Sequence, residues 1–421
     1  MSRPTPPEWK RLDNAAKIFP PTSGKRDTKV FRFACELNEA VDPAVLQEAL
    51  DRTLASFPLF RSILKKGLFW YYLERCDTRA CVQPEHTPPC STLYDKNTKN
   101  LLFEVSYFDR RINFEVYHAL TDGTGALQFL RMLVYYYLIL RHAPDFPDGP
   151  PPPPVAASYS QQADDSFQKY YTSDKPPREK KRTAYRLHGM KLPEYRIRVI
   201  EGAVSAKKIL ALAHEYDTTL TVLLTSLLIW SVGQDMAMHE KRRPVVITVP
   251  VNLRNYFSSE TARNFFSIIE VGYDFSKGSG ELPDIIRCIA SLFSRSLTEE
   301  ALRARLNMLT SIERNVFARI VPLAMKDVVM RLANDIAAAK STCAVSNVGR
   351  IAMPDALAPY ISRFSVFVST AKTQLCLCSF GDALTLSFSS CFQNAEVEKH
   401  FFRKLASLGV DVTLSSNRPD A

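Results

Sequence analysis

The stretch Arg111-Ile-Asn-Phe-Glu-Val-Tyr-His118-Ala-Leu-Thr-Asp122-Gly123-Thr-Gly125 changes its period partway along. In its first part Ile112, Phe114 and Val116 alternate with Asn113, Glu115 and Tyr117. A side-chain period of two predicts a strand with one buried face, and His118 falls in phase with that face. Thr121-Asp-Gly-Thr-Gly125 is turn chemistry, and Ala126 to Leu140 continues as an apolar helix. The reading is strand, turn, helix. An imidazole stands at the strand end and a carboxylate follows one turn later. Such a pair can activate a hydroxyl, an amine or a thiol. The ordinary alternative is a satisfied core histidine followed by a common Asp-Gly turn.

Working outward, Leu101–Tyr107 and the quoted strand form a predicted hairpin, and Val30–Leu37 is a further strand. Asp42-Pro43 opens a helix, with Asp at the N-cap and Pro at the first helical position. Residues 1–28 read as an irregular Pro-rich lead and 76–99 as loop. Pro147-Asp-Gly-Pro-Pro-Pro-Pro-Pro154 is a stiff extended spacer. The basic cluster ending at Lys180-Lys-Arg182 reads as solvated linker. Beyond it, strands and helices recur: a strand in Tyr195–Val204, a helix capped by Ser205, and a helix from Thr219 to Val232 buried on all sides. The strand Pro244–Pro250 and another in Asn264–Tyr273 follow. Two helices cover roughly Asp284–Leu306 and Ile312–Ala339. Three strands lie near Thr342–Asn347, Phe364–Ser369 and Leu375–Phe388, and a last helix spans Ala395–Leu408. The expectation is an α/β protein with mixed sheets: an N-terminal lobe over 1–146, a linker over 147–194 and a C-terminal lobe over 195–421.

A chain of 421 residues exceeds one typical core, and 46% hydrophobic with 23% charged residues is globular composition. The net charge of +10 favours acidic small molecules, acidic proteins or anionic lipid surfaces. No zinc-finger spacing, RNA-binding signature or long basic helix accompanies it, so no nucleic-acid partner is expected. Nine scattered cysteines without C-x-x-C point to a reducing compartment, and no metal site is expected. Without a signal-peptide core or a bilayer-length apolar run, the expected location is cytoplasmic, with no transmembrane segment.

Several strings together resemble the superfamily that holds chloramphenicol acetyltransferase, peptide-synthetase condensation domains, BAHD acyltransferases, wax ester synthases and alcohol acetyltransferases. His118–Gly123 resembles its HxxxDG active-site motif. Pro58-Leu-Phe-Arg61 resembles an early Pro-x-x-Arg segment, and Pro250-Val-Asn-Leu-Arg254 the Pro-Val-Asn-Leu-Arg segment. Asn264-Phe-Phe-Ser267 resembles the strand that follows it. Ser346-Asn-Val-Gly349 is similar to the Ser-Asn-x-Gly stretch of the wax-ester and alcohol acetyltransferase branches. The strings occur in the expected order across residues 30–408. The alcohol acetyltransferase branch resembles the chain most. Condensation domains carry two adjacent histidines, and here the first position is Tyr117. The BAHD Asp-Phe-Gly-Trp-Gly motif is absent.

The resemblance implies two similar lobes forming a pseudo-dimer, with a tunnel between them and the histidine at its centre. It implies acyl transfer from a CoA thioester to a small hydrophobic alcohol, acetyl being the expected acyl group. His118 would be the general base, with no covalent enzyme intermediate. Asp122 would shape the loop by pairing with an arginine, Arg254 first and Arg61 second. Gly123 would permit a tight turn. Tyr117, Ser346, Asn347 and Gly349 would line the tunnel, a plain turn being the equal alternative for Asn347 and Gly349. Oxyanion donors are expected among amides near Gly123 and the hydroxyls of Ser346 or Ser369. No permanently bound cofactor is expected. Acyl-CoA is the co-substrate, its phosphates meeting Lys241-Arg-Arg243 or Lys180-Lys-Arg182. An acidic acyl carrier protein satisfies the same charge argument. That leaves two alternatives open: a carrier-protein-dependent N-acyltransferase or stand-alone condensation enzyme, and a catalytically silent binding module. A pseudo-dimer supplies both tunnel walls, so a monomer is expected.

Overall fold

In β7 (Arg111–Tyr117) both faces are buried, where one was expected. The apolar face of Phe114 meets Phe129 of the following helix, ring centroids 4.6 Å apart. The polar face is covered as well. Glu115 accepts from Arg32 Nε at 2.7 Å and from the Cys90 amide at 2.7 Å. Glu85 takes Arg32 and Arg111. Tyr117 stacks on Tyr94 and shares a hydrogen bond with Ser23. The polar spellings that suggest solvent belong to a buried charge network under a loop.

The structure, a computed structural model, describes residues 9–13, 15–95, 97–154, 169–172, 182–259, 263–314 and 320–417. The first half runs β1 (Trp9–Arg11), α1 (Phe19–Thr22), β2 (Val30–Leu37), α2 (Pro43–Ser56), β3 (Ser62–Lys66), β4 (Tyr71–Arg75), β5 (Gln83–Pro84), β6 (Phe103–Phe108), β7 and α3 (Gly123–Arg141). The lead expected to be irregular therefore holds β1 and α1, and the 76–99 loop holds β5. Asp42 caps α2 by accepting from the amides of Ala44 and Val45.

The second half runs β8 (Arg198–Ser205), α4 (Ala206–Glu215), α5 (Leu220–Asp235), β9 (Val245–Asn252), β10 (Phe266–Tyr273), α6 (Leu282–Ser296), α7 (Glu299–Arg314), α8 (Leu323–Ala338), β11 (Cys343–Arg350), β12 (Ile361–Val368), β13 (Thr373–Phe380), β14 (Ala383–Ser390), α9 (Glu396–Ser407) and β15 (Thr413–Ser416). Three helices stand where two were expected. Thr298 caps α7 by accepting from the Ala301 amide, and Pro322 precedes α8. The single strand expected over Leu375–Phe388 is the hairpin β13–β14. It turns at Gly381, whose φ of +56° lies in the left-handed region open to glycine.

The strands form sheets in the order β1-β4-β3, β12-β2-β7-β6-β5 and β10-β9-β11-β13-β14-β8-β15. α2 and α3 pack together against the five-stranded sheet, and α5, α6 and α9 cover the seven-stranded one. β12 comes from the half expected as the C-terminal lobe, yet it pairs with β2 in the N-terminal sheet. Its Phe364 carbonyl also accepts from Thr385 of β14 at 2.7 Å, which joins the two sheets. The Pro-rich run 147–154 forms no helix or strand, and its Pro151 carbonyl accepts from the Tyr135 hydroxyl at 2.8 Å. Among the described residues no helix is long and apolar enough to cross a membrane.

Candidate active site

His118 follows directly on β7, its amide held by the Lys29 carbonyl at 2.8 Å. The ring is half-buried and stacks on Phe19 of α1 at 4.4 Å, with Phe31 at 4.8 Å and Phe266 at 5.7 Å. Burial among these rings disfavours the imidazolium and lowers the pKa, against the opposing pull of the Asp122 carboxylate. The resting ring is neutral near pH 7.

Asn264 sets its tautomer. The Asn264 side-chain amide donates to the His118 carbonyl at 3.1 Å and to Asp13 Oδ2 at 3.3 Å, both of them acceptors. The Asn264 oxygen therefore faces His118 Nδ1, 3.2 Å away. That contact is a hydrogen bond only if Nδ1 carries the proton, an assignment made from the surrounding donors and acceptors. The lone pair is left on Nε2. Asp13, buried, closes the chain by accepting from the Ala16 and Asn264 amides.

Asp122 does not point toward this ring chemistry. Its Oδ1 caps α3, accepting from the amides of Thr124 and Gly125. Its Oδ2 accepts from Arg254 at 2.8 Å and from the Phe265 amide at 2.9 Å. Both partners of this ion pair are buried. Arg254 also donates to the Arg263 carbonyl, and neighbouring Asn252 donates to Thr124. The pair thus fastens the start of α3 to the turn between β9 and β10. Arg61 is placed elsewhere: it ends the turn after α2, and the cation on Asp122 among the described residues is Arg254.

Gly123 departs from expectation. It makes no tight turn but is the first residue of α3, and a Cβ added there would meet nothing within 4 Å. The space in front of it is open, and its amide is not one of the two that Asp122 takes. Tyr117 is 0% exposed, its hydroxyl committed to Ser23, so it lines no open channel. Its side chain leaves the strand on the face opposite His118. Ser346, Asn347 and Gly349 lie at the carboxyl end of β11. There a register shift and the φ of +87° at Gly349 form a bulge, closed by the Asn347 oxygen on the Gly349 amide. Asn347 also donates to Thr221 of α5.

β9 and β11 pair only at Ile247–Cys343 and Thr248–Ala344, although both strands run on. Beyond that point they part. One side of the parting carries Asn252, which leads to Arg254, and the other carries Ser346 and the bulge. Ser369 is two strands from His118, about 10 Å across the sheet, and its hydroxyl accepts from the Thr28 amide. Lys241, Arg242 and Arg243 lie before β9, at the end remote from Asn252 and roughly 25 Å along the strand. Lys180 and Lys181 lie outside the described residues, and Arg182 donates to Asp274 at 2.6 Å.

Asp13, Phe19 and the role of Asn264 are not visible in sequence periodicity. The one available signal was Asn264 itself, a polar residue opening an otherwise apolar strand segment.

No family model and no curated protein matches the chain. Solved structures do. The trichothecene 15-O-acetyltransferase TRI3 from Fusarium sporotrichioides superposes with a TM-score of 0.64 at 12% identity, covering 97% of this chain and 96% of that one. TRI101 from F. sporotrichioides, complexed with coenzyme A and T-2, gives 0.63 at 12% identity over 96% and 99%. The epimerization domain from the third module of tyrocidine synthetase B gives 0.60 at 14% identity over 96% of both. At such identities the likeness is one of fold. It runs through both halves, and the chain therefore has the fold shared by these acetyltransferases and by epimerization and condensation domains of peptide synthetases.

Proposed function

We propose that this chain is an acyltransferase that moves an acyl group from a CoA thioester to the hydroxyl of a small hydrophobic acceptor, with His118 as general base. The observation that carries the reading is the neutral, Nδ1-protonated imidazole of His118, with its basic Nε2 at a strand end in this fold. Nε2 takes the acceptor's O–H proton as the oxygen attacks the thioester carbonyl. The tetrahedral intermediate expels the thiolate as the C–S bond breaks, and the same imidazolium returns the proton to sulfur. The products are an ester and a free thiol, and no bond to the enzyme forms. The Gly123 amide, at the start of a nineteen-residue helix and beside open space, is the donor we assign to the oxyanion.

Asp122 and Arg254 position this loop and move no proton. The parting of β9 and β11, together with the space before Gly123, is where we place the two ends of a tunnel. Tyr117 is excluded from its lining. One chain supplies His118, Asn264, Asp122 and Arg254, so a monomer suffices. The alternative reading, a carrier-protein-dependent N-acyltransferase or condensation enzyme, differs in the donor and in taking an amine as acceptor.

The test is thiol release from acetyl-CoA and longer acyl-CoAs against a panel of alcohols and amines, with wild type and His118→Ala side by side. Turnover lost in a folded variant supports the assignment. Turnover unchanged in the variant refutes it. Turnover only with acylated carrier protein selects the carrier-protein alternative.

A further inference from the structure

α8 sits on the protein the wrong way round. Met325, Val328, Val329, Leu332 and Ile336 recur at the spacing of one helical stripe, and each is 53–64% exposed. The polar side faces inward instead. Asp327 is buried and accepts from Tyr71 at 2.9 Å and Lys66 at 3.4 Å. Lys326 donates to the Phe69 carbonyl at 3.0 Å and Arg331 to the Pro21 carbonyl at 2.8 Å. A surface helix normally does the reverse. Five large apolar side chains on one exposed stripe mark an interaction surface rather than scattered exposure.

The stripe is continuous with the β3–β4 hairpin. The Leu68 carbonyl accepts from the Leu323 amide, and Leu68 is the most exposed apolar side chain of that region at 72%. Trp70, partly exposed, lies under Arg11 at 4.9 Å, and Trp9 is exposed beside it on β1. The rim carries more cations than carboxylates: Lys66, Lys326 and Arg331, which also donate to Asp327 and to the Phe69 and Pro21 carbonyls, and Lys17 just before α1, stand against Asp335 on the surface and the buried Asp327. The whole chain carries +10.

We infer that this face binds an anionic lipid surface, with α8 lying in the headgroup plane, its apolar stripe inward, the cations on the phosphates and Trp9 and Trp70 at the boundary. An amphipathic helix with Lys and Arg flanking an apolar face binds in this manner. A two-fold contact between copies would set this basic rim against itself. α8 also packs on α1, which carries the Phe19 ring stacked on His118, so the bound surface lies one helix away from the imidazole. The inference does not rest on the acyl-transfer reading.

The test uses the full chain with vesicles of phosphatidylcholine alone and of phosphatidylcholine mixed with phosphatidylserine. Flotation and tryptophan emission with brominated lipid are the readouts, and sedimentation velocity gives the oligomeric state. The variant is Val329→Ser, Leu332→Ser, Ile336→Ser, all at exposed positions. Expected is flotation with the anionic vesicles that salt weakens, quenching of tryptophan emission, and about tenfold or greater loss of partitioning in the folded variant. Absent flotation, equal flotation of the variant, or a wild-type dimer that the variant dissolves would overturn the inference. The last outcome would assign the face to contact between copies.

Discussion

Asn264 decides which nitrogen of His118 is basic, and that decision can be tested one atom at a time. His118→Ala removes the base and should lower kcat by about 10²–10⁴, the ordinary contribution of a positioned general base. Asn264→Leu keeps the imidazole but frees its tautomer. We expect it to lower kcat by roughly tenfold to a hundredfold with little change in KM, read by steady-state kinetics. The pH profile carries a sign. His118 must be unprotonated to act, and burial holds its pKa below the ordinary 6.5. The rate should therefore stay level as pH falls to 6.5 and drop only below it, visible in kcat/KM against pH. An acid limb centred above 6.5 would contradict the buried, neutral ring. At this scale His118 and Asp122 were legible because they share one short string. Asp13 was not, because it meets Asn264 from 251 positions away and nothing local marks it.

Elements were legible where one local rule governs them. The Asp42 cap, the Ser205 cap and the largely buried α5 follow from capping chemistry and periodicity, and the structure has them. The errors arose where local spelling and tertiary partner disagree. The polar face of β7 reads as solvated because Glu115 and Asn113 are polar. It is buried because Arg32 and Glu85 come from other elements to meet it. The β13–β14 turn was missed because a single glycine-aspartate pair interrupts two apolar runs. Its φ makes a prediction: Gly381→Ala should cost about 1–2 kcal/mol, measured as a drop in denaturation midpoint. The tie between α3 and the β9–β10 turn makes a larger one. Arg254→Met leaves Asp122 buried without its cation, and should cost about 3–5 kcal/mol and lower activity with it. Calorimetry on the variant would measure the loss.

At the scale of the molecule, the sequence divides in two and the sheets do not divide at the same place. The N-terminal sheet has β12 on its edge beside β2, and the N-terminal core includes Phe364, Val366 and Phe367. A fragment ending at residue 146 should therefore lack a cooperative unfolding transition and expose β2 as an open edge. Circular dichroism and size-exclusion chromatography would check it. Nothing in the strand's own spelling says which sheet it joins, and that is why the division read from composition and the Pro-rich run could not include it.

The exchange of β12 also sets an order of events during synthesis. Thr28 at the head of β2 bonds Ser369 just past β12, partners 341 positions apart. On the ribosome the first sheet must wait, its edge unpaired, until most of the second half has emerged. The protein cannot mature from front to back, one half at a time, as two-part proteins commonly do. Its slowest step should be the late arrival of one eight-residue strand. For that interval β2 is an unpaired edge, open to pairing with other chains.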